Sequence, residues 1–143
     1  MSERELPRNI DPTAVKEIKN VFSNVPFIKL IGMRLIDIGD GEATISLDIR
    51  DELRQPHGLL HGGVTASLID TAMAFAVVSK LARDEKASTV DLNIHYLRPV
   101  IDGEISCTAK IVKAGRRLLT VSAEVFDDKG KLISTALSTY AKV

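Results

Sequence analysis

One acid, Asp70, stands alone in the apolar run Leu68-Ile69-Asp70-Thr71-Ala72-Met73-Ala74-Phe75-Ala76-Val77-Val78, with no Lys or Arg between Arg54 and Lys80. An ionised carboxylate among apolar side chains costs several kcal/mol unless it is paired or neutralised. Upstream lies His61-Gly62-Gly63, where a helix can begin. A helix start presents unpaired N–H groups and the positive end of the dipole, which suits a carbonyl oxygen that turns anionic during acyl transfer. Gly62 lets such an oxygen approach the backbone. Hydrolysis also needs a base to activate water or a nucleophile to attack the carbonyl, and desolvation moves a carboxylate's pKa toward the useful range. Asp70 is the only carboxylate near enough in sequence to serve.

Spacing constrains this pair. At ~1.5 Å rise per residue, Asp70 lies roughly 12 Å along a helix from Gly62, too far for both to reach one carbonyl carbon. Either the two do not cooperate, or they belong to different chains. In a twofold dimer with antiparallel central helices, Gly62 of one subunit approaches Asp70 of the other, giving two equivalent sites.

The elements that position them follow from periodicity. Asp11 and Pro12 offer an N-cap and first helical residue, and Val15, Ile18 and Phe22 share one face of a short helix ending near Asn24. Met33 to Ile38 leads through Gly39-Asp40-Gly41 into Ala43, Ile45, Leu47 and Ile49, which alternate with polar residues as in a half-buried strand. Gln55-Pro56-His57-Gly58 breaks that pattern. From about Gly62 to Leu81 the chain reads as a helix with few polar positions, one that must be wrapped. Four strands follow. Val90, Leu92, Ile94 and Tyr96 mark the first, which ends at Arg98-Pro99. Asp102-Gly103, Gly115-Arg116-Arg117 and Asp127-Asp128-Lys129-Gly130 are the turns that separate the rest. The expected fold is α+β: an antiparallel sheet of about six strands around one long central helix, with a short N-terminal helix. Residues 1–143 read as one domain, of which 1–25 are an N-terminal extension and helix. Unsatisfied sheet edges predict a dimer or higher oligomer.

Composition narrows the function. Nineteen basic and nineteen acidic residues cancel, so nothing global steers the chain to nucleic acid or to an anionic membrane. Leu59 to Val78 is about as long as a bilayer span, but His61, Thr65, Ser67, Asp70 and Thr71 interrupt it and no aromatic belt flanks it. Cys107 is the only cysteine, and the N-terminal residues hold no apolar signal stretch, so the expected location is the cytoplasm. His57 and His61 are four residues apart, but Pro56 and Gly58 oppose a helix there and no H-E-x-x-H pattern forms, so no metal site is expected.

The segment Gln55 to Asp70, with Tyr96-Leu97-Arg98-Pro99 and Gly115-Arg116, resembles the hotdog-fold acyl-CoA thioesterases of the phenylacetate-pathway and 4-hydroxybenzoyl-CoA type. The resemblance runs from about Pro26 to the C-terminus. It implies hydrolysis of acyl-CoA thioesters at a site shared between subunits of a homodimer or homotetramer, with coenzyme A as part of the substrate and no separate cofactor. Residue by residue, it implies that the Gln55 amide orients water or the carbonyl, His61 supports the loop, and the Gly62 N–H polarises the thioester. Asp70 is then base or nucleophile, and Ser88, just before the third expected strand, helps place the water.

Coenzyme A phosphates need cations, for which Arg98, Lys113, Arg116 and Arg117 are candidates, with Lys142 beside them. The resemblance places nucleotide contacts at His95 to Val100, including His95 and Tyr96, and at Lys113 to Leu118, with backbone groups of Val90 and Gly115. Phe27 and Phe75 are candidates to line an aryl or medium-chain acyl pocket. A non-catalytic reading also stands: a hotdog domain that binds acyl-CoA as a sensor or scaffold. The acid together with His-Gly-Gly favours the enzyme.

Overall fold

A computed structural model describes residues 10–143. Helix α1 (Pro12–Asn24) starts where Asp11 accepts the Thr13 N–H at 3.0 Å, and it buries Ile18 and Phe22. A second short helix that periodicity did not foresee, α2 (Pro26–Ile31), ends at Gly32, whose φ of 85° is the left-handed stop glycine favours. Then come β1 (Arg34–Gly39), β2 (Glu42–Asp48), a 3-10 turn at Asp51–Leu53 and the central helix α3 (Gly62–Val78). The chain finishes with β3 (Ala87–Tyr96), β4 (Glu104–Ala114), β5 (Leu118–Asp127) and β6 (Leu132–Lys142).

All six strands form one antiparallel sheet in the order β1-β2-β4-β5-β6-β3. The expected α+β architecture is therefore the one observed. α3 lies across the sheet and buries Leu68, Ile69, Ala72, Met73 and Ala76 against Ile45, Leu47, Ile105, Val121 and Val125. It stops at Val78, a turn earlier than periodicity suggested, because Ser79 caps it. The Ser79 Oγ donates to the Ala76 carbonyl and accepts the Gly41 N–H, each at 2.7 Å.

The wrapping of α3 differs from expectation in one respect. The sheet covers only one side, and a stripe at helical spacing, Gly63, Ser67, Asp70, Ala74 and Val78, is left wholly or partly open. Asp70 is thus solvent-exposed in the single chain rather than enclosed. The two sheet edges also differ. β1 is six residues long and broken by a register shift between Leu35 and Asp37. β3 is ten residues long, pairs only with β6 and leaves Val90 61% exposed, the kind of edge that recruits another strand.

Candidate active site

The segment before α3 is held by a network centred on Arg54. Arg54 donates to the Gly58 carbonyl at 3.0 Å and to the Ile101 carbonyl, and it forms ion pairs with Asp51 at 3.1 Å and Asp102 at 2.6 Å. Those two carboxylates raise the Arg54 pKa, so its charge is constant. Backbone bonds from Leu60 to Val100 and from His61 to Leu53 continue the tie. Gln55 sits in the resulting loop with its Oε1 accepting the His57 N–H. Its Nε2 has no recorded protein partner among the described residues, so the amide end left for a ligand is a donor.

His61 is the N-cap of α3: its Nδ1 accepts the Gly63 N–H at 2.8 Å, which requires the proton, in the neutral ring, to be on Nε2. Tyr96 donates its hydroxyl to the Gly62 carbonyl at 2.8 Å. The peptide between Gly62 and Gly63 is therefore gripped at its oxygen by Tyr96 and at its nitrogen by His61. Gly63 has a contact reason to be glycine, since a Cβ there would sit 2.9 Å from His61 Nδ1, whereas one at Gly62 would meet the Tyr96 ring at 3.4 Å, an ordinary contact. The preceding N–H, that of Gly62, makes no protein hydrogen bond among the described residues and is available to an oxygen. Gln55, Gly62, Tyr96 and Arg98 line a cleft of about 320 Å³.

Asp70 occupies the other half of α3. No cation or hydrogen-bond donor pairs with its carboxylate among the described residues, and desolvation by the apolar helix surface raises its pKa. The Tyr140 hydroxyl approaches the Asp70 carbonyl at 3.5 Å, and Tyr140, 4% exposed, stands opposite Thr89 in the sheet. Asp70 thus belongs to the Ala87 end of β3, whereas Gly62 belongs to its Tyr96 end. Ser88 lies at Asp70's end, but inside β3 rather than before it, because the strand already begins at Ala87 opposite Lys142.

The candidate phosphate ligands divide the same way. Arg98 and Tyr96 are with Gly62. Lys113, Gly115, Arg116 and Arg117 form the β4–β5 turn, tied to the end of β6 by the Lys142 N–H to the Arg117 carbonyl at 2.8 Å, and so belong to Asp70's end with Val90 nearer it than Gly62. Gly115 is required there, since a Cβ would lie 2.9 Å from the Leu118 carbonyl. Arg98, Lys113, Arg116 and Arg117 form no salt bridge among the described residues, while Lys142 is held by Glu85 at 2.9 Å. His95 sits on the sheet face turned away from α3, in a groove with Asp91, Asn93 and Thr135. One chain therefore holds two part-sites toward opposite ends of β3, with Gly62 and Asp70 separated by roughly 12 Å along α3 at ~1.5 Å per residue.

Sequence reasoning missed Arg54 and the Tyr96 grip on Gly62; both depend on partners distant in the chain. Phe27 is 47% exposed on α2, and Phe75 packs edge-on against Phe22 at 5.2 Å in the core, so neither lines these clefts. No group of three or more metal-ligating side chains occurs among the described residues. Likewise, no described helix is long and apolar enough to cross a membrane.

Comparison with known proteins identifies the family. A conserved protein of Pseudomonas aeruginosa superposes with a TM-score of 0.81 at 34% identity, covering 90% of this chain and 98% of that one. The phenylacetic acid degradation protein PaaI of Thermus thermophilus, in a mutant form, superposes at 0.77 with 28% identity over 83% of this chain and all of that one. A 1,4-dihydroxy-2-naphthoyl-CoA hydrolase of Listeria monocytogenes is 25% identical over 78% of this chain and 90% of its own length. The thioesterase superfamily profile matches residues 57–134, from the loop before α3 into β6. With the hotdog sheet and helix already in place, that match over more than half of the chain makes this protein a hydrolase of the thioesterase superfamily.

Proposed function

We propose that the protein hydrolyses acyl-CoA thioesters as a homodimer, with Asp70 of one subunit and Gly62 of its partner completing each site. The observation that carries this reading is the division of the site residues between the two ends of one long edge strand, β3, which pairs on one side only, with β6. A twofold axis across β3 sets the Tyr96 end of one copy beside the Ala87 end of the other. Two such half-sites then make two whole ones. Residues 1–143 act as one domain, and two dimers can pair further into a tetramer.

The thioester oxygen accepts the free N–H of Gly62 and is joined by the Gln55 amide donor. Asp70 takes a proton from water, which Ser88 helps to place, and the water oxygen bonds to the carbonyl carbon. Negative charge collects on the carbonyl oxygen beside the helix start, where the N–H and dipole favour it. As that intermediate collapses, the carbon–sulfur bond breaks, the sulfur leaves with the electron pair and takes up a proton, and the free acid remains. An unpaired carboxylate with a raised pKa suits a base better than one neutralised by a cation. Arg98, Lys113, Arg116 and Arg117, all without carboxylate partners among the described residues, receive the phosphates, with Tyr96, His95, Val90 and Gly115 along the nucleotide path.

Release of free thiol from a panel of acyl-CoA esters tests this. Burial pushes the Cys107 thiol up to about 12, so the protein's own cysteine contributes nothing to the signal. Turnover by the wild type and its loss in Asp70→Asn is the expected result. Equal rates for both proteins would remove Asp70 from the mechanism.

A further inference from the structure

Beyond the cleft at Gly62, a larger cavity of about 640 Å³ opens at the far end of α3. Its walls are Ala14 and Ile18 of α1, Ala74, Val77 and Val78 of α3, and Tyr140 of β6. Two observations connect it to Asp70. Ala74 is one helical turn beyond Asp70 on the same open stripe of α3, and Tyr140 reaches the Asp70 carbonyl with its hydroxyl while its ring lines the cavity. The α3 wall of the cavity therefore begins one helical turn beyond the acid, at Ala74, and runs for roughly 6 Å, the rise from Ala74 to Val78. At the solvent end, Glu17 of α1 and Arg83 in the loop after α3 both border the cavity and pair with each other at 2.6 Å.

From this geometry we infer that the cavity receives the apolar part of the acyl group, that it fits a straight aliphatic chain of medium length, and that the Glu17–Arg83 pair marks its far limit. The inference rests on the proposed thioesterase reading and names its substrate class. The lining explains the aliphatic choice. Alanine, valine, isoleucine and leucine make up the apolar part of the wall, with Asp11, Glu17, Arg83, Glu85 and Lys86 also bordering the cavity. Tyr140 is the one aromatic ring among the described residues that lines it, whereas the Phe22–Phe75 pair is committed to the core. An aryl group would find one ring to pack against. A methylene chain would find the aliphatic side chains of Ile18, Val77, Val78 and Leu81, with each methylene that leaves water strengthening binding by up to about fourfold. The ion pair at the limit joins two exposed side chains, an interaction weak enough to part when a longer chain presses on it. α1 lies outside residues 57–134, the part that matches the superfamily profile, so this wall is a feature that chains with that profile need not share.

Calorimetric titration of Asp70→Asn protein with CoA, butanoyl-CoA, decanoyl-CoA and phenylacetyl-CoA tests the assignment without turnover. Decanoyl-CoA is expected to bind at least tenfold more tightly than butanoyl-CoA and more tightly than phenylacetyl-CoA. Adding Ala14→Leu from one wall, or Ala74→Leu from the other, should erase that advantage while leaving CoA and butanoyl-CoA within twofold, with thermal midpoints verifying both folds. Glu17→Gln should improve relative binding of hexadecanoyl-CoA severalfold. Affinity independent of chain length overturns the assignment. So does equal weakening of CoA itself by both variants, which would place the pantetheine arm in the cavity. Chain-length-dependent binding with no wild-type turnover of any ester would keep the cavity and remove the catalytic reading; turnover of butanoyl-CoA with no chain-length preference would do the reverse.

Discussion

The two ends of α3 are built on opposite terms. At its start, the His61 ring and the Tyr96 hydroxyl hold the Gly62–Gly63 peptide from both sides, and Arg54 fastens the preceding loop to Ile101 and Asp102. Eight residues on, the Asp70 side chain has no recorded partner and is placed by the helix alone. A donor that must meet a developing charge gains from being fixed beforehand, because no reorganisation is then needed as the charge appears. A base gains from the reverse: any cation or donor fixed on it would lower its affinity for a proton. In the mechanism we propose, the rigid end and the free end are the two requirements of one hydrolysis, separated in the chain and brought together by a second copy.

Removing the free end should have the largest effect. Asp70→Asn is expected to lower kcat by about 10²- to 10⁴-fold, measured by thiol release under saturating acyl-CoA. In the wild type, kcat/KM should fall as the pH drops through a pKa above the ordinary carboxylate value, since Asp70 must be ionised to act. Stability should move the other way. Because folding raises this pKa, the stabilisation from holding the proton is present below the ordinary carboxylate pKa and is lost as pH rises through the raised value. Asp70→Asn should therefore melt higher than the wild type at neutral pH, and the gap should close in acid.

The cations at the free end come next. Replacing Arg116 and Arg117 together with Gln should raise KM about ten- to hundredfold with kcat nearly unchanged, as expected for charged hydrogen bonds to phosphate worth ~1.5–3 kcal/mol. At the rigid end, Tyr96→Phe should lower kcat by about two- to tenfold with KM and thermal midpoint little changed, the equivalent of one hydrogen bond at ~0.5–1.5 kcal/mol. A loss in KM instead would make Tyr96 a contact to the substrate rather than a support for Gly62.

Much of the fold was legible because its periodicities are strong. Alternation in β2, β4 and β5 and the Asp11-Pro12 start of α1 mark their elements within a residue or two. α2 was not, since six residues after Pro26 are too few for a helical pattern to develop. The open stripe on α3 was also hidden: Ala66, Thr71 and Ala74 flank Asp70, and small residues suit a covered face and an uncovered one equally well. Ser88 was placed before its strand because Ala87-Ser88-Thr89 lacks alternation, although backbone pairing with β6 already begins there. The distance between Gly62 and Asp70 in one chain followed from helix rise alone, whereas the Arg54 tie to Ile101 and Asp102 joins segments 47 and 48 residues apart and left no local signal.

Mixed subunits test the shared site most directly. An Asp70→Asn chain and a Gly62→Pro chain, each inactive alone, should regain activity when their subunits exchange, because each mixed dimer holds one site with an intact acid and an intact donor. Proline removes the donating N–H at a first helical position that tolerates it. Half of a randomised population is mixed and has one of its two sites restored, so about a quarter of the wild-type rate per subunit should return. Proven exchange with no return of activity would contradict a site completed across the dimer.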